Sequence, residues 1–295
     1  MMTLGFVLHP AHVESSSLYL EARSYLQAHG CESVQLLATD PVTLASDEKE
    51  LRQLPAYEPS VDAVVSIGGD GTMLRAMAYA HRQRVPALGI NLGQLGYLTE
   101  VEPSDMIDAL ASIVAGEFTV EERLALCARF RVAGEERQVI SFNEVVVERE
   151  VSGHVIRGDV SLGGKKFLRY EADGLIIATP TGSTAYNLSA RGPIVAPSLR
   201  AFILTPLSPH MLFDRSLVLD VDQTIDFHLG QGPNASVMVD GQVVHSLSPP
   251  ETVSIVAHPA PVQLIRVVDV PFYDIVKRKF RLNHTETATP EPRNA

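Results

Sequence analysis

The sequence predicts an α/β N-terminal domain on a mainly parallel sheet, a C-terminal antiparallel β-rich domain, and a final helix that packs back on the first. Three observations predict this. Up to about residue 120, strand-length apolar runs alternate with helix-period segments, the grammar of βαβ units and of a parallel sheet covered on both faces. From 121 to 270 short strand-like runs follow one another, several separated by turn signals. After Pro271 apolar residues return at helical spacing. The units so delimited are 1–120, joined by the helix at 271–283, and 121–270; the polar, Pro-bearing tail 284–295 is expected to be disordered.

Taken in order, Leu4–Leu8 is a short apolar strand. Ser16–His29 sets Leu18, Ala22, Tyr25 and Leu26 on one helical face, with Gly30 as the stop. Val34–Leu37 is a second strand, followed by a polar stretch through Pro59. Val61–Ile67, the strongest strand of this half, runs into Gly68-Gly69-Asp70-Gly71 and a helix carrying Leu74, Met77, Ala78 and His81. Val85–Ile90 leads into the Gly-rich Asn91–Gly96, and a helix from an N-cap at Ser104 to Ala115, stopped by Gly116, closes the region. Further strands are expected at Leu124–Val132, Val139–Val147, Val155–Leu162, Gly174–Ala178 and Leu217–Val221. Others follow at Thr224–Leu229, Ser236–Val239, Val253–Ala257 and Val262–Val268. Gly163-Gly164 and Asp240-Gly241 suit two-residue hairpins, because both tolerate positive φ. Phe272, Ile275, Val276, Lys279 and Phe280 give the segment to Leu282 its helical period.

Composition narrows the function classes. A chain of 295 residues, 45% hydrophobic and 20% charged, is an ordinary globular protein. Its net charge of −11 argues against a nucleic-acid backbone or an anionic membrane as partner. It leaves room for an anionic small ligand held by backbone N–H groups. Two cysteines, Cys31 and Cys127, without a Cys-x-x-Cys, make neither a secreted disulfide framework nor a zinc knuckle. The N-terminus lacks a signal-peptide pattern, and the uncharged Gly174–Ala190 is too rich in Thr, Ser and Gly for a membrane span. A cytoplasmic location is expected.

Gly68-Gly69-Asp70-Gly71-Thr72 carries the most information. The glycines let backbone N–H groups approach a ligand, and the helix N-terminus that follows favours a phosphate. A carboxylate there repels phosphate, so Asp70 needs a proton to accept or a cation to hold; the plainer alternative is that it caps the helix. Asp173 to Asn187 is an apolar strand ending in a hydroxyl-dense loop, Thr179-Pro180-Thr181-Gly182-Ser183-Thr184, with Tyr186 just beyond. Hydroxyls can meet ribose or phosphate oxygens and the Tyr ring a base, or the loop simply caps a short helix. Asn143-Glu144 could chelate a diol or an adenine edge, though such pairs are common at strand starts. Gly230-Gln231-Gly232-Pro233-Asn234-Ala235 formally matches a dinucleotide fingerprint but lacks the strand-to-helix context, and is expected to be a hairpin loop. The scattered histidines show no metal spacing, and His9 and His12 are expected in a solvated loop.

In this order and spacing, GGDGT at 68–72, NLGQLGYL at 91–98, Asn143-Glu144, DGLIIATPTGSTAYNLSA at 173–190 and RKF at 278–280 resemble the NAD kinase family over nearly the whole chain. GGDG also occurs in diacylglycerol-type lipid kinases and phosphofructokinases; its combination with TPTGSTAY is specific. The resemblance implies an active site between the domains, a homodimer or homotetramer, NAD and ATP as substrates, and NADP as product. It implies a divalent cation, Mg²⁺, carried in with ATP, and no protein metal site. With Arg75 the main cation near the motifs, that ion would supply much of the positive charge a loose phosphoryl-transfer transition state needs. By position, Asp70 is the base for the ribose hydroxyl, and Gly68, Gly69, Gly71 and Thr72 form the phosphate loop. Asp70, Gly71, Arg75, Asn143, Glu144, His154, Asp173, Thr184, Ala185, Tyr186, Asn187, Leu188, Ser189 and Gln242 fall at NAD-contacting positions. Where some relatives carry a basic residue, this chain has Glu171. Two rivals are a lipid kinase, which needs a basic or apolar membrane-facing surface, and a non-catalytic dinucleotide sensor, which would gain by losing Asp70.

Overall fold

A computed structural model describes residues 1–36, 44–51, 59–93, 96–267 and 270–282; the tail expected to be disordered lies outside them. The first unit runs β1 (Thr3–Leu8), α1 (Val13–Ala28), β2 (Glu32–Leu36), α2 (Glu48–Leu51), β3 (Ala63–Gly68), α3 (Asp70–Gln83) and β4 (Ala87–Asn91). A 3₁₀ turn at Pro103–Asp105, α4 (Met106–Ala115) and β5 (Thr119–Arg123) complete it. The central strands β1, β3 and β4 are buried on both faces because helices cover both. Phe6, Val65 and Ile90 pack under α1 and α4 with Leu26, Met106 and Leu110, while Val7 and Val64 face Met73 and Met77 of α3.

Two details of the helices differ from the sequence reading. Of the expected face Leu74, Met77, Ala78 and His81, α3 buries only Met77 fully. The buried stripe runs through Met73, Ala76, Met77 and Ala80, one position round from the other three, which are half-buried. Small alanines and flexible methionines let the helix lie close on the sheet, a signal that a search for large apolar residues passes over. Ser104 sits inside the 3₁₀ turn, so Asp105 rather than Ser104 is the N-cap of α4. Gly30 and Gly116 do follow their helices in the left-handed region, at φ 72° and 73°.

The second unit contains β6 (Leu126–Val132), β7 (Glu135–Ser141), β8 (Glu144–Arg149), β9 (Ile156–Leu162), β10 (Lys165–Ala172) and β11 (Gly174–Ala178). A 3₁₀ turn at Gly182–Thr184 and α5 (Tyr186–Ser189) follow, then β12 (Ala201–Leu207), β13 (Leu217–Asp220), β14 (Ile225–Leu229), β15 (Ala235–Val239), β16 (Gln242–Leu247) and β17 (Thr252–Ala257). They form two antiparallel six-stranded sheets, β10-β9-β14-β17-β6-β7 and β13-β12-β11-β8-β15-β16. Val145 and Val147 of one sheet share a core with Val160, Phe227 and Ile255 of the other, so the pair is a sandwich. Buried Cys127 lies in β6 and buried Cys31 just before β2, and neither is in a disulfide.

Here the structure corrects four expectations. Val139–Val147 is two strands in different sheets, broken at Phe142-Asn143. The Gly230–Ala235 loop is no hairpin: β14 and β15 pair with other strands in separate sheets, and the loop carries the chain between them. Strands β5, β10, β12 and β16 lay outside the expected set. Finally β18 (Val262–Arg266) belongs to the first sheet, ordered β2-β1-β3-β4-β18-β5, parallel to β4 and antiparallel to β5. Both two-residue hairpins do form, β9–β10 at Gly163-Gly164 and β15–β16 at Asp240-Gly241. After β18, α6 (Phe272–Lys279) buries Ile275 and sets the Lys279 ammonium 5.0 Å from the Tyr97 ring centroid.

Candidate active site

β3 and β4 are neighbouring parallel strands, so the loops after them emerge at one sheet edge, where α/β folds place ligands. Asp70 is the first residue of α3, behind the N-cap Gly69, and it caps nothing. Its carboxylate instead accepts the backbone N–H of Tyr97 through Oδ2 at 2.9 Å and of Leu98 through Oδ1 at 3.0 Å. The plain capping alternative is thereby set aside. Only glycine fits at position 96, since a Cβ there would stand 2.2 Å from Asp70 Oδ1. Asn91 braces the same loop, accepting from the Thr99 hydroxyl at 3.1 Å and donating to the Gly93 carbonyl at 3.2 Å. Around Gly69 and Gly71 the space is open, and the α3 N-terminus faces it.

The second loop spends most of its hydroxyls on itself. Thr179 donates to the Phe142 carbonyl at 2.7 Å and accepts from the Gly182 N–H at 2.9 Å. Ser183 donates to the Pro180 carbonyl and Thr184 to the Thr181 carbonyl. Asn187, expected among the ligand contacts, is fully buried: its amide donates to the Ser183 and Pro193 carbonyls and its oxygen accepts from Thr205. It holds the loop and has no exposed atom for a ligand. Tyr186 does present its ring, 40% exposed, with Ser189 beside it in a cleft of about 630 Å³ that also includes Arg191, Ser208 and Asp214. Burial, then the charges of Glu148, Asp173 and Glu144, push the Tyr186 hydroxyl up.

Asn143-Glu144 occupies the break between β7 and β8, and a residue the sequence reading used only as a turn former makes that break. Asp240 lies in the left-handed region at φ 46°. Its buried carboxylate accepts from the Ser141 hydroxyl at 2.7 Å and from the backbone N–H of Phe142, Asn143 and Glu144 at 2.9, 2.8 and 3.1 Å. The signal available was an Asp, not an Asn or Gly, at the hairpin tip before Gln242. Glu144 is buried with Oε2 unpartnered. Burial first, then Asp240, push its carboxyl up to about 8, against the pull of the Tyr186 backbone N–H. Burial raises Asp240 too. Its four donors favour the anion there, so the proton resides on Glu144.

The Asn143 carbonyl accepts the Thr179 N–H at 2.8 Å, and a Cβ at Gly182 would stand 2.1 Å from it, so the two loops touch backbone to backbone. Asp173 pairs with Arg149 at 3.1 Å and contributes to the field at Tyr186. Glu171 pairs with Arg157 on β9 at 2.7 Å. Asn143, Glu144, Asp173, Ala185 and Tyr186 are therefore gathered in one place, and Gln242 follows directly on the Asp240 hairpin. Exposed His154 stands in the turn after β8, with its backbone N–H on the Val151 carbonyl. Arg75 lies near enough to the loop after β1 to act on His9, whose ring meets that of His12 at 4.3 Å; burial, then His12 and Arg75, lower the His9 pKa. Both histidines lie in the loop between β1 and α1, His9 half-buried and His12 exposed, as the solvated-loop expectation has it. Among the described residues no three of His, Cys, Asp and Glu stand close enough to hold a metal.

Residues 4–118 match the model of the ATP-NAD kinase N-terminal domain and residues 142–267 that of the ATP-NAD kinase C-terminal domain. The NAD kinase of Heliobacterium modesticaldum is 41% identical over 223 residues, 75% of this chain and 79% of its own length. That of Moorella thermoacetica is 38% identical over 283 residues, 95% of this chain and 90% of its own. Among solved structures, yeast NADH kinase complexed with NADH superposes with a TM-score of 0.84 at 21% identity, covering 98% of this chain and 90% of that one. An NAD kinase from Archaeoglobus fulgidus in complex with ATP gives 0.69 at 26% identity, covering 90% and 94%.

Proposed function

The chain belongs to the NAD kinase family and is a kinase that phosphorylates NAD, and from that premise we propose that Asp70 is the base that readies the adenosine-ribose 2′-hydroxyl for attack on the terminal phosphorus of ATP. One observation carries the reading: a carboxylate fixed by two backbone N–H groups at the mouth of a helix N-terminus, next to open glycines. The 2′-hydroxyl proton passes to an Asp70 oxygen as the ribose oxygen bonds to the γ-phosphorus. The bond from that phosphorus to the β,γ-bridging oxygen breaks, and ADP departs. Little covalent help is needed, so holding the partners in line is the larger part of the work.

Asn143, Glu144, Asp173, Thr184, Ala185, Tyr186, Leu188, Ser189 and Gln242 are the proposed surroundings of NAD, with His154 and Arg75 at its margins. Gly68, Gly69, Gly71 and Thr72 offer the α3 N-terminus to phosphate. Glu144, kept protonated, offers NAD an O–H as well as an acceptor. Mg²⁺ fits as an ion brought by the nucleotide: Asp70 retains lone pairs beyond its two N–H bonds, and Mg²⁺ is commonly held by one or two carboxylates plus substrate phosphates. When bound it neutralises charge on the transferring phosphoryl group. A homodimer or homotetramer working in the cytoplasm completes the proposal; no helix among the described residues is long and apolar enough to cross a membrane.

The test is incubation with NAD, ATP and Mg²⁺ in lipid-free buffer, with NADP measured enzymatically, crossed with NADH, other nucleotides and polyphosphate. NADP formation from NAD and ATP is the expected result. A strict requirement for vesicles or micelles would sink it.

A further inference from the structure

The loop that holds Asp70 and the loop that carries Tyr186 grow from different sheets, yet a line of charged side chains runs between them. Glu100, two residues beyond Leu98, pairs with Nη1 of Arg266. Nε and Nη2 of Arg266 both reach Glu121 Oε2 at 2.6 Å. Arg123 engages the same carboxylate, Nη2 at 3.1 Å from Oε2 and Nε at 3.0 Å from Oε1. The remaining nitrogen, Nη1, lies 3.4 Å from the Thr181 hydroxyl oxygen, to which it donates. Strand geometry builds the line: Glu121 and Arg123 point the same way on β5, and Arg266 stands diagonally across from Glu121 on β18.

Stability alone is a poor reason for it. Arg123 is 4% exposed, and the side chains of Arg266 and Glu100 are only 13% and 11% exposed. Burying such charges is costly, and replacing them with apolar side chains of like volume is often neutral or stabilising. Burial lowers the Arg123 pKa and raises that of Glu100, whereas Glu121, between two arginines, is lowered despite its burial. What the line supplies is a fixed span. It begins two residues past a donor to Asp70 and ends on the loop whose Thr179 and Gly182 touch Phe142 and Asn143.

We propose that Arg123 and Arg266, joined through Glu121, are positioning residues for phosphoryl transfer, holding the Asp70 loop and the Tyr186 loop at the separation that the reaction needs. The inference rests on the reading of Asp70 as base. A small displacement of reacting groups is enough to cost about 10²-fold in rate, so a slackened span acts on turnover before binding.

The experiment cuts the line at both ends with Glu100→Gln and Thr181→Val, alone and together, and compares kcat, KM for NAD and melting temperature with the unmodified protein. Each single variant should lose about tenfold in kcat with KM for NAD within about threefold, and the double variant should be no slower than the slower single, because either cut opens the same line. Thr181→Ser, which keeps the hydroxyl, should retain kcat. Arg123→Lys removes the same end contact and is read by the same criteria if Thr181→Val does not fold. Losses that multiply in the double variant, or a fall in melting temperature with kcat intact, would overturn the proposal. An unmodified protein that makes no NADP would instead overturn the reading beneath it.

Discussion

At Asp70 each carboxylate oxygen accepts one backbone N–H, and this changes what Asn would do there. The amide of Asp70→Asn can satisfy one N–H and turns its NH₂ on the other, so we expect about 1–3 kcal/mol of lost stability. Proton acceptance is lost as well, which is typically worth about 10²–10⁴ in kcat. NAD affinity should hold or improve as repulsion from phosphate is relieved. Measuring kcat, the NAD Kd and the melting temperature on one preparation separates these effects, and near-normal kcat would remove Asp70 from the chemistry. Glu144 makes a prediction in pH. Its folded pKa of about 8 lies above the ordinary 4.5, so its proton is kept in the folded state while the unfolded chain loses it. That linkage lowers stability progressively from about pH 4.5 to about pH 8, by a few kcal/mol at most. Glu144→Gln, neutral throughout, should melt higher than the parent at pH 8 and alike at pH 4.5. NAD binding by the parent should weaken above about pH 8 while the variant stays flat. A parallel pair of pH profiles would show that Glu144 is ionised and that burial does not control it.

At the scale of elements, legibility followed where the determinant lies along the chain. The GGDG turn is local, since buried strand, glycines and helix start are contiguous, and it was readable. The break inside Val139–Val147 was not, because the apolar run continues through it and the group that breaks it, Asp240, is about a hundred residues away. Polar β10, with mostly exposed or half-exposed side chains, gives little periodicity, and the choice of β18 to join β4 and β5 depends on partners no window contains. The loop hydroxyls were seen, but whether they face ligand or backbone depends on Phe142 and Asn143 coming near. That contact is tight enough to test. Gly182→Ala would drive a Cβ to 2.1 Å from the Asn143 carbonyl oxygen, backbone against backbone with no flexible side chain to yield. We expect about 1–3 kcal/mol of destabilisation and a weakened NAD Kd, read by thermal melting and titration calorimetry. A variant of parental stability would mean that the loops can part freely. By contrast Glu171→Arg faces Arg157 on an exposed edge, so it should lose at most about 1 kcal/mol and keep its kcat.

At the scale of the whole molecule, two cores must move as one for the proposed site between them to keep its shape. The sandwich core closes on itself, and the chain passes between units through Leu124-Ala125 and the 258–261 segment. Phe142 does more than these crossings. It lies between two strands of the sandwich, yet its ring is buried with Val64, Met73, Met77 and Leu264 of the first unit, its centroid 5.6 Å from that of His81. The same residue donates its N–H to Asp240 and gives its carbonyl to Thr179, so one position ties the first core to both site loops. Phe142→Ala should therefore cost about 3–5 kcal/mol, as large-to-small changes in a packed core do, and it should also loosen the coupling between units. Phe130→Ala is the matched control, because Phe130 is equally buried but lies wholly within the sandwich core. Urea unfolding followed by far-UV circular dichroism and by tyrosine fluorescence distinguishes the two. The control should keep coincident transitions at a lower midpoint, whereas Phe142→Ala should separate them, reduce the apparent m-value and lower kcat beyond its loss of stability. Coincident transitions with an unchanged m-value in both variants would place the coupling elsewhere and leave Phe142 an ordinary core residue.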